Sequence, residues 1–327
     1  MRRAFWMSRF CGVSEMLVLW RDKPSSPNDS GKKYKGGVTM TKQSITSGQE
    51  KQFKRFVEDA AERALKEVGL DKDGLQRLIE QGDEFQTRII TGIRELSVSN
   101  QFADEEVKSD YGYLSGYKPK GIKEQINILR KLFSGIGVAN EKIAVQPLPA
   151  NTEGWFAIPR WQSVAETYEE AVKIVLDLIK KQRKDKFYNY REGRLGEKYL
   201  RQHERTVKKL EALADQQKGY DILVVACQFG LRHRGWSVRR AREVFAANEF
   251  GLGAFEVGCM LLTYPERLQH YDGLWIDCAG DEYAPDADGD FSFAPCFDFF
   301  GGGVEFDTFW FGGASSCCGS ASASLPQ

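Results

Sequence analysis

The side chains able to do chemistry in this 327-residue chain fall into four groups. The first is LRHRGWSVRRAR, which sets Arg232, Arg234, Arg239, Arg240 and Arg242 around Trp236. Guanidinium groups beside an indole suit a phosphate backbone and a stacked base. The same groups can instead pair with carboxylates and fix a helix in place. The charge distribution favours the second use: ten acids and no Lys or Arg follow Arg267, although the whole chain has zero formal net charge. Arg239 and Arg240 are therefore expected to be structural, paired with the acidic C-terminal region. The second group is DEYAPDADGD. Asp286, Asp288 and Asp290 alternate as calcium ligands do, but an EF-hand needs Gly at its sixth position and Glu at its twelfth, where Phe291 and Phe297 stand. A solvated acidic turn is expected, with no metal and no cofactor.

The third group is histidine. His203 falls on the apolar side of an expected helix, as a satisfied buried imidazole would. His233, between Arg232 and Arg234, has the group of a general acid, but no nucleophile accompanies it. No G-x-S-x-G, P-loop, G-x-G-x-x-G or H-E-x-x-H sequence occurs, so the chain reads as a binding protein rather than an enzyme. The fourth group is cysteine. The seven cysteines form no C-x-x-C pair and no metal spacing with the three histidines. Cys227 and Cys259 lie in apolar runs, and the usage fits a reducing cytoplasm. No apolar run reaches the roughly eighteen residues needed to cross a membrane.

None of these groups accounts for the C-terminal stretch from Cys296, CFDFFGGGVEFDTFWFGGASSCCGSASASLPQ. It has six phenylalanines and no Lys or Arg, then gives way to Gly, Ala, Ser and the vicinal pair Cys317-Cys318. A core strand would hold more Val, Ile and Leu, and a flexible tail fewer aromatics and more charge. Codon logic accounts for the composition better. Randomising the two adenines of an AAC codon yields Phe, Ser, Cys, Gly, Asp and their like, but never Trp, Met, Gln, Lys or Glu. From Phe306 to Ser324 every residue except Trp310 is reachable in this way.

The stretch resembles the variable region of the target proteins of diversity-generating retroelements. In that family adenine-specific mutagenesis rewrites codons near the end of one gene, and a C-type-lectin-like fold displays the rewritten residues to a ligand. The block QFGLRHRGWSVRRAREVFAANEFGLGAFEVGCMLLTYPERL, then LWIDCAGDEY and the GSAS ending, is similar to members of that type, so the resemblance spans roughly Gly154 to Gln327. It implies a diversified ligand-binding protein with a hypervariable region, whose partner is a protein or other macromolecule and whose fold is α+β. Alternation along a strand would put Trp310, fixed by the template, into the core as an anchor. Asp307, Phe309 and Phe311 would face the ligand, with Glu305 at the rim, and Gly312, Gly313, Ser315, Ser316, Cys317 and Cys318 would continue that face through a turn. The alternative is a nucleic-acid-associated protein using the Arg232–Arg242 cluster.

The elements that must position these residues are legible in part. Residues 1–39 read as a disordered leader: Lys35-Gly36-Gly37-Val38-Thr39-Met40 can be encoded by a ribosome-binding sequence just before an ATG, which makes Met40 the expected start. A helical module is expected over residues 40–140. Phe53, Phe56, Val57, Ala60, Ala64, Leu65 and Val68 recur at helical spacing until Gly69, and shorter helices follow around Leu75–Ile79, Phe85–Leu96 and Ile122–Phe133. The Pro-containing stretch 136–153 marks a boundary, and residues 150–327 form the expected lectin-like domain. There GWFAIPRW reads as a first strand, Val164–Ile179 and Leu195–Leu213 as helices, and Asp221–Cys227 as a buried strand. Ser237 caps a helix running to Gly251, Phe255–Leu262 forms another that ends at Pro265, and LWIDC is a strand.

Overall fold

The computed structural model describes residues 46–97, 100–286 and 288–326; the expected leader and the start at Met40 lie outside the described residues. The chain is a mixed α+β protein, helical first and strand-rich later, and it divides into two compact units with the break between Ser97 and Val98.

The first unit holds α1 (Ser47–Val68), α2 (Lys72–Glu80) and α3 (Gly82–Ser97). Local chemistry sets their ends. Thr46 Oγ1 accepts from Gln49 N at 3.2 Å while Thr46 N donates to Gln49 Oε1 at 3.0 Å, a reciprocal cap. Gly69 closes α1 in the left-handed region at φ 60°, and Asp71 caps α2 by accepting from Gly74 N at 2.7 Å. No residue of α1 or α2 is buried.

The second unit contains α4 (Ile122–Leu132), which the sequence reading assigned to the N-terminal module. It packs instead on β1 (Gly154–Pro159) and α8 (Ala254–Thr263), burying Ile126 and Leu129. Every residue of α8 is buried, as expected of a helix apolar on all sides. α5 (Tyr168–Gln182) lies across it so closely that a Cβ on Gly258 would meet Val175 at 2.3 Å.

One sheet has the order β1, β4 (Ile222–Gln228), β11 (Ser322–Ser324), β5 (Glu249–Gly251), antiparallel throughout. The Ser-Ala-Ser ending is thus a buried interior strand. The other sheet runs β10 (Cys318–Ser320), β6 (Trp275–Asp277), β8 (Phe293–Phe300), β7 (Asp281–Tyr283), β3 (Leu200–Gln202), with β9 (Gly303–Trp310) paired to β8 and to β2 (Phe187–Asn189). β10 runs parallel to β6, and β2 runs parallel to β9. The helix expected over Leu195–Leu213 begins only at Glu204 as α6 (Glu204–Gln216), because Leu200–Gln202 pairs with β7. His203 caps α6, its Nδ1 accepting from Arg205 N at 3.2 Å. Likewise α7 (Val238–Val244) stops well short of Gly251, which lies in β5.

Candidate functional site

β9 outruns the core it helps to build. Its even-numbered residues Val304 and Phe306 are fully buried, with Phe306 5.0 Å from Phe297 of β8. Thr308, next on that face, is still buried, but at Trp310 the cover ends and the side chain is 47% exposed. Both faces of β9 are buried as far as Thr308, so no core-in, ligand-out alternation shows there, and the expected core anchor Trp310 lies beyond the end of the core. Around Trp310 the odd-numbered side chains are the more covered ones. Phe309 stacks on Trp275 at 6.4 Å, beside Tyr111, Cys317 and Cys318. Phe311 packs on Val238, Ala241 and Phe245, and its carbonyl accepts from Arg239 N at 3.0 Å. Asp307 is buried, with Oδ1 2.6 Å from Arg191 Nη2.

Past Trp310 the chain makes a turn before β10. A Cβ at Gly312 would come within 2.7 Å of the Trp310 ring and 2.9 Å of the Arg239 guanidinium, so Gly312 is the seat on which the indole rests. Gly313 is exposed, and Ser315 and Ser316 are half-buried. Cys318 N donates to Ser315 O at 3.2 Å, which closes the turn. Cys317 and Cys318 are buried, and their sulfurs lie 3.8 Å apart, far beyond the ~2.05 Å of a disulfide. Of the sequence-derived ligand face, Gly313, Ser315 and Ser316 are open or partly open. Phe309 and Phe311 are half-buried, while Asp307, Gly312, Cys317 and Cys318 are buried.

The frame that holds this rim comes from a segment without helix or strand. Residues 100–118 strap across α7 and β10: Val107 N donates to Gly235 O at 2.8 Å, Ser237 N to Glu105 O at 3.1 Å, and Ser109 Oγ to Ser316 O at 2.5 Å. Arg239 is the hub. Its guanidinium is chelated by Glu105, with Nε 2.7 Å from both carboxylate oxygens, and it lies among the rings of Phe102, Trp310 and Phe311 at 4.4, 5.2 and 5.6 Å. The Glu105 bond raises the guanidinium's pKa further. Arg240 reaches Glu106 at 2.6 Å and Glu243 at 2.9 Å. Both are ion-paired within the chain, but their carboxylates come from the strap and from α7, not from the acidic C-terminal region expected to supply them. Only Arg242 turns that way, donating to Asp281 O at 2.6 Å with Glu282 3.8 Å off. The triplet Asp104-Glu105-Glu106, opposite in sign to Arg239-Arg240, was the sequence signal for this pairing.

The remaining arginines of the cluster are also engaged. Arg232 lies 3.1 Å from Glu249, and Arg234 donates to Tyr111 O at 2.8 Å. His233 is buried with Nε2 2.7 Å from Glu249 Oε1, and burial lowers its pKa. Burial alone would raise the Glu249 carboxyl, but His233, Arg232 and Ser322 together outweigh it and hold the group at about 2. Asp286 and Asp288 lie in a turn fixed by Asp288 N donating to Asp286 Oδ1 at 3.2 Å, and Ser292 Oγ donates to Asp290 Oδ2 at 3.1 Å. Among the described residues no three His, Cys, Asp or Glu side chains converge as a metal site, and no helix is long and apolar enough to cross a membrane. No protein-family model, curated protein or solved structure matches the chain.

Proposed function

We propose that this chain is a diversified ligand-binding protein, the target of a diversity-generating retroelement, with a C-type-lectin-like second unit that presents its C-terminal region to a macromolecular partner. The observation that carries the reading is the rim at the end of β9. A large indole stands in solvent on a rigid strand end, flanked by Phe309, Phe311, Gly313, Ser315 and Ser316. An exposed Trp with partly open aromatics is disfavoured on an inert surface and typical of the energetic centre of a binding one. Small Ser and Gly neighbours adapt to a partner at low cost, as in paratopes. Two helices followed by short strands with turn-rich connections is the order that the lectin-like resemblance implies. The work of the site is recognition rather than catalysis.

The ligand contacts assigned here are Trp310, Gly313, Ser315 and Ser316, with the half-buried Phe309 and Phe311. Trp310, which adenine changes in AAC cannot produce, is then a constant anchor inside a variable ring. Two measurements test the reading. The genome should hold, beside a reverse transcriptase gene, a near-copy of the last hundred or so bases with adenines at the variable codons. Once a partner is captured, Trp310→Ala should weaken binding at least tenfold, which corresponds to about 1.4 kcal/mol, and leave the urea midpoint nearly unchanged. A genome with no such repeat would remove the reading. The alternative, a nucleic-acid-associated protein using this cluster, is the less favoured reading, since each of its five arginines already has a partner within the protein.

A further inference from the structure

We propose that the second unit carries a further binding site, a cleft between β1, β3, α6 and α8 that takes a small aromatic primary carboxamide. The cleft has a volume of about 130 Å³. Ile158 of β1, Leu210 of α6, Leu223 of β4 and Trp161, in the turn after β1, give it apolar walls. Two polar groups interrupt them. Gln202, the last residue of β3, has its Nε2 buried with no hydrogen-bond partner among the described residues. Glu256 of α8 is 2% exposed, and its carboxyl takes backbone bonds only, one of them from Gly253 N at 3.0 Å, with no cation paired to it. Buried polar groups are nearly always satisfied, so a donor and a carboxyl left short of partners beside one cleft point to a ligand that completes them.

The two groups ask for opposite things. Glu256 as a carboxylate accepts, and Gln202 Nε2 donates. A primary amide answers both from one planar tip: its N–H donates to the carboxylate and its C=O accepts from the Gln202 amide. An ammonium offers donors alone and leaves Gln202 unmet. An anion is opposed. A Cβ at Gly253 would lie 2.8 Å from Glu256 Oε2 and 2.4 Å from Asp281 Oδ1, so two carboxyls already crowd one buried spot. Arg160 and Glu211 also line the cleft, one charge of each sign, and the exposed Glu211 marks its open side. The body of the ligand follows from size and wall chemistry. A cavity of about 150 Å³ encloses a benzene ring. Here a flat ring lies against the Trp161 indole, and the open side accommodates what the walls do not enclose. The site shares no residue with the rim at the end of β9, so either can fail without the other.

Calorimetric titration of the full chain with benzamide tests the assignment. At pH 8 Glu256, with its pKa of about 7, is ionised. One saturable site with a Kd of about 1 mM or below is expected, within the range open to so small a ligand. Benzoate, benzylamine and N-acetylglutamine methylamide, which carries the amide tip on an aliphatic stem, should each bind about tenfold more weakly. Gln202→Leu removes the donor and breaks no side-chain bond of the folded chain, and should weaken benzamide by about tenfold. Leu210→Trp fills the cleft and should abolish binding, with the near-ultraviolet circular dichroism of a folded chain retained. A native chain that gives no saturable heat with benzamide holds only water in the cleft and overturns the proposal. So would any of the three other compounds binding as tightly as benzamide, or benzamide affinity unchanged in either variant.

Discussion

Glu256 shows how a single buried carboxyl sets a pH dependence. It sits in α8 with Oε2 accepting from Gly253 N at 3.0 Å, and burial raises its pKa from 4.5 to about 7. The folded state therefore holds the proton more tightly than the unfolded chain does. This contribution to stability is fully present below about pH 4.5 and is lost as pH rises through 7. Glu256→Gln cannot titrate. Relative to the native chain it should gain about 3 kcal/mol in going from pH 4 to pH 8, the shift converted at 1.36 kcal/mol per unit. Urea midpoints of both proteins across that range measure the difference, and parallel curves would contradict it. Gly312 belongs to the same scale: it reads as a small variable residue, and only the Trp310 ring folded against it reveals a steric demand.

Among the elements, β11 has the sequence of a tail and the position of a keystone. Ser322, Ala323 and Ser324 pair with β4 on one side and β5 on the other. Ser322 Oγ donates to Glu249 Oε1 at 2.7 Å and accepts from Gln228 Nε2 at 2.8 Å, so its hydroxyl is satisfied in the core. Small residues are required beside the crossing of Gly230 and Gly319, where a Cβ on either would fall within 2.5 Å of the other's carbonyl oxygen. A chain stopped after Ala321 would leave two strands with unpaired edges inside the unit. It should lose cooperative unfolding altogether, while a chain ending at Leu325 should unfold as the intact protein does. Circular dichroism melts distinguish the two; a cooperative transition in the shorter chain would show that β11 is dispensable.

At the scale of the whole molecule, the separation of basic and acidic residues along the chain translates only in part into pairing between the two: Arg191 meets Asp307, and Arg201 and Arg242 meet Glu282. Within the basic cluster Arg232, Arg239 and Arg240 meet Glu105, Glu106, Glu243 and Glu249, all earlier in sequence than Arg267, and Arg242 turns to Asp281 and Glu282. Several late acids are instead drawn inside: burial raises the carboxyl of Asp277 to about 7, and Asp281 accepts from Tyr168 Oη and Ala254 N at 2.8 and 2.7 Å. Arg239→Ala with Arg240→Ala should therefore lower stability by about 2–5 kcal/mol, because Glu105, Glu106 and Glu243 would be left partly buried without their cations. Added salt should change that loss little, since partly buried pairs are weakly screened. A melting temperature equal to that of the native chain would remove Arg239 from its place as the hub of the rim.

The sequence by itself determined the α+β class, the long helices and the buried strand β4, because their apolar spacing needs no partner to be read. It also singled out Arg239 and Arg240 as ion-paired and marked the C-terminal stretch as unusual. Only the tertiary structure decided the three-residue strands. The Leu200–Gln202 run has apolar neighbours at helical spacing and is a strand solely because Asp281–Tyr283 lies beside it. The strap of residues 100–118 was equally hidden, since its bonds run to residues more than a hundred positions away. Whether Trp310 lies under cover or in the open was decided the same way. Alternation fixes which side of a strand a residue takes, but where the core beneath that side ends depends on how far the other elements reach, and that is a property of the assembled fold.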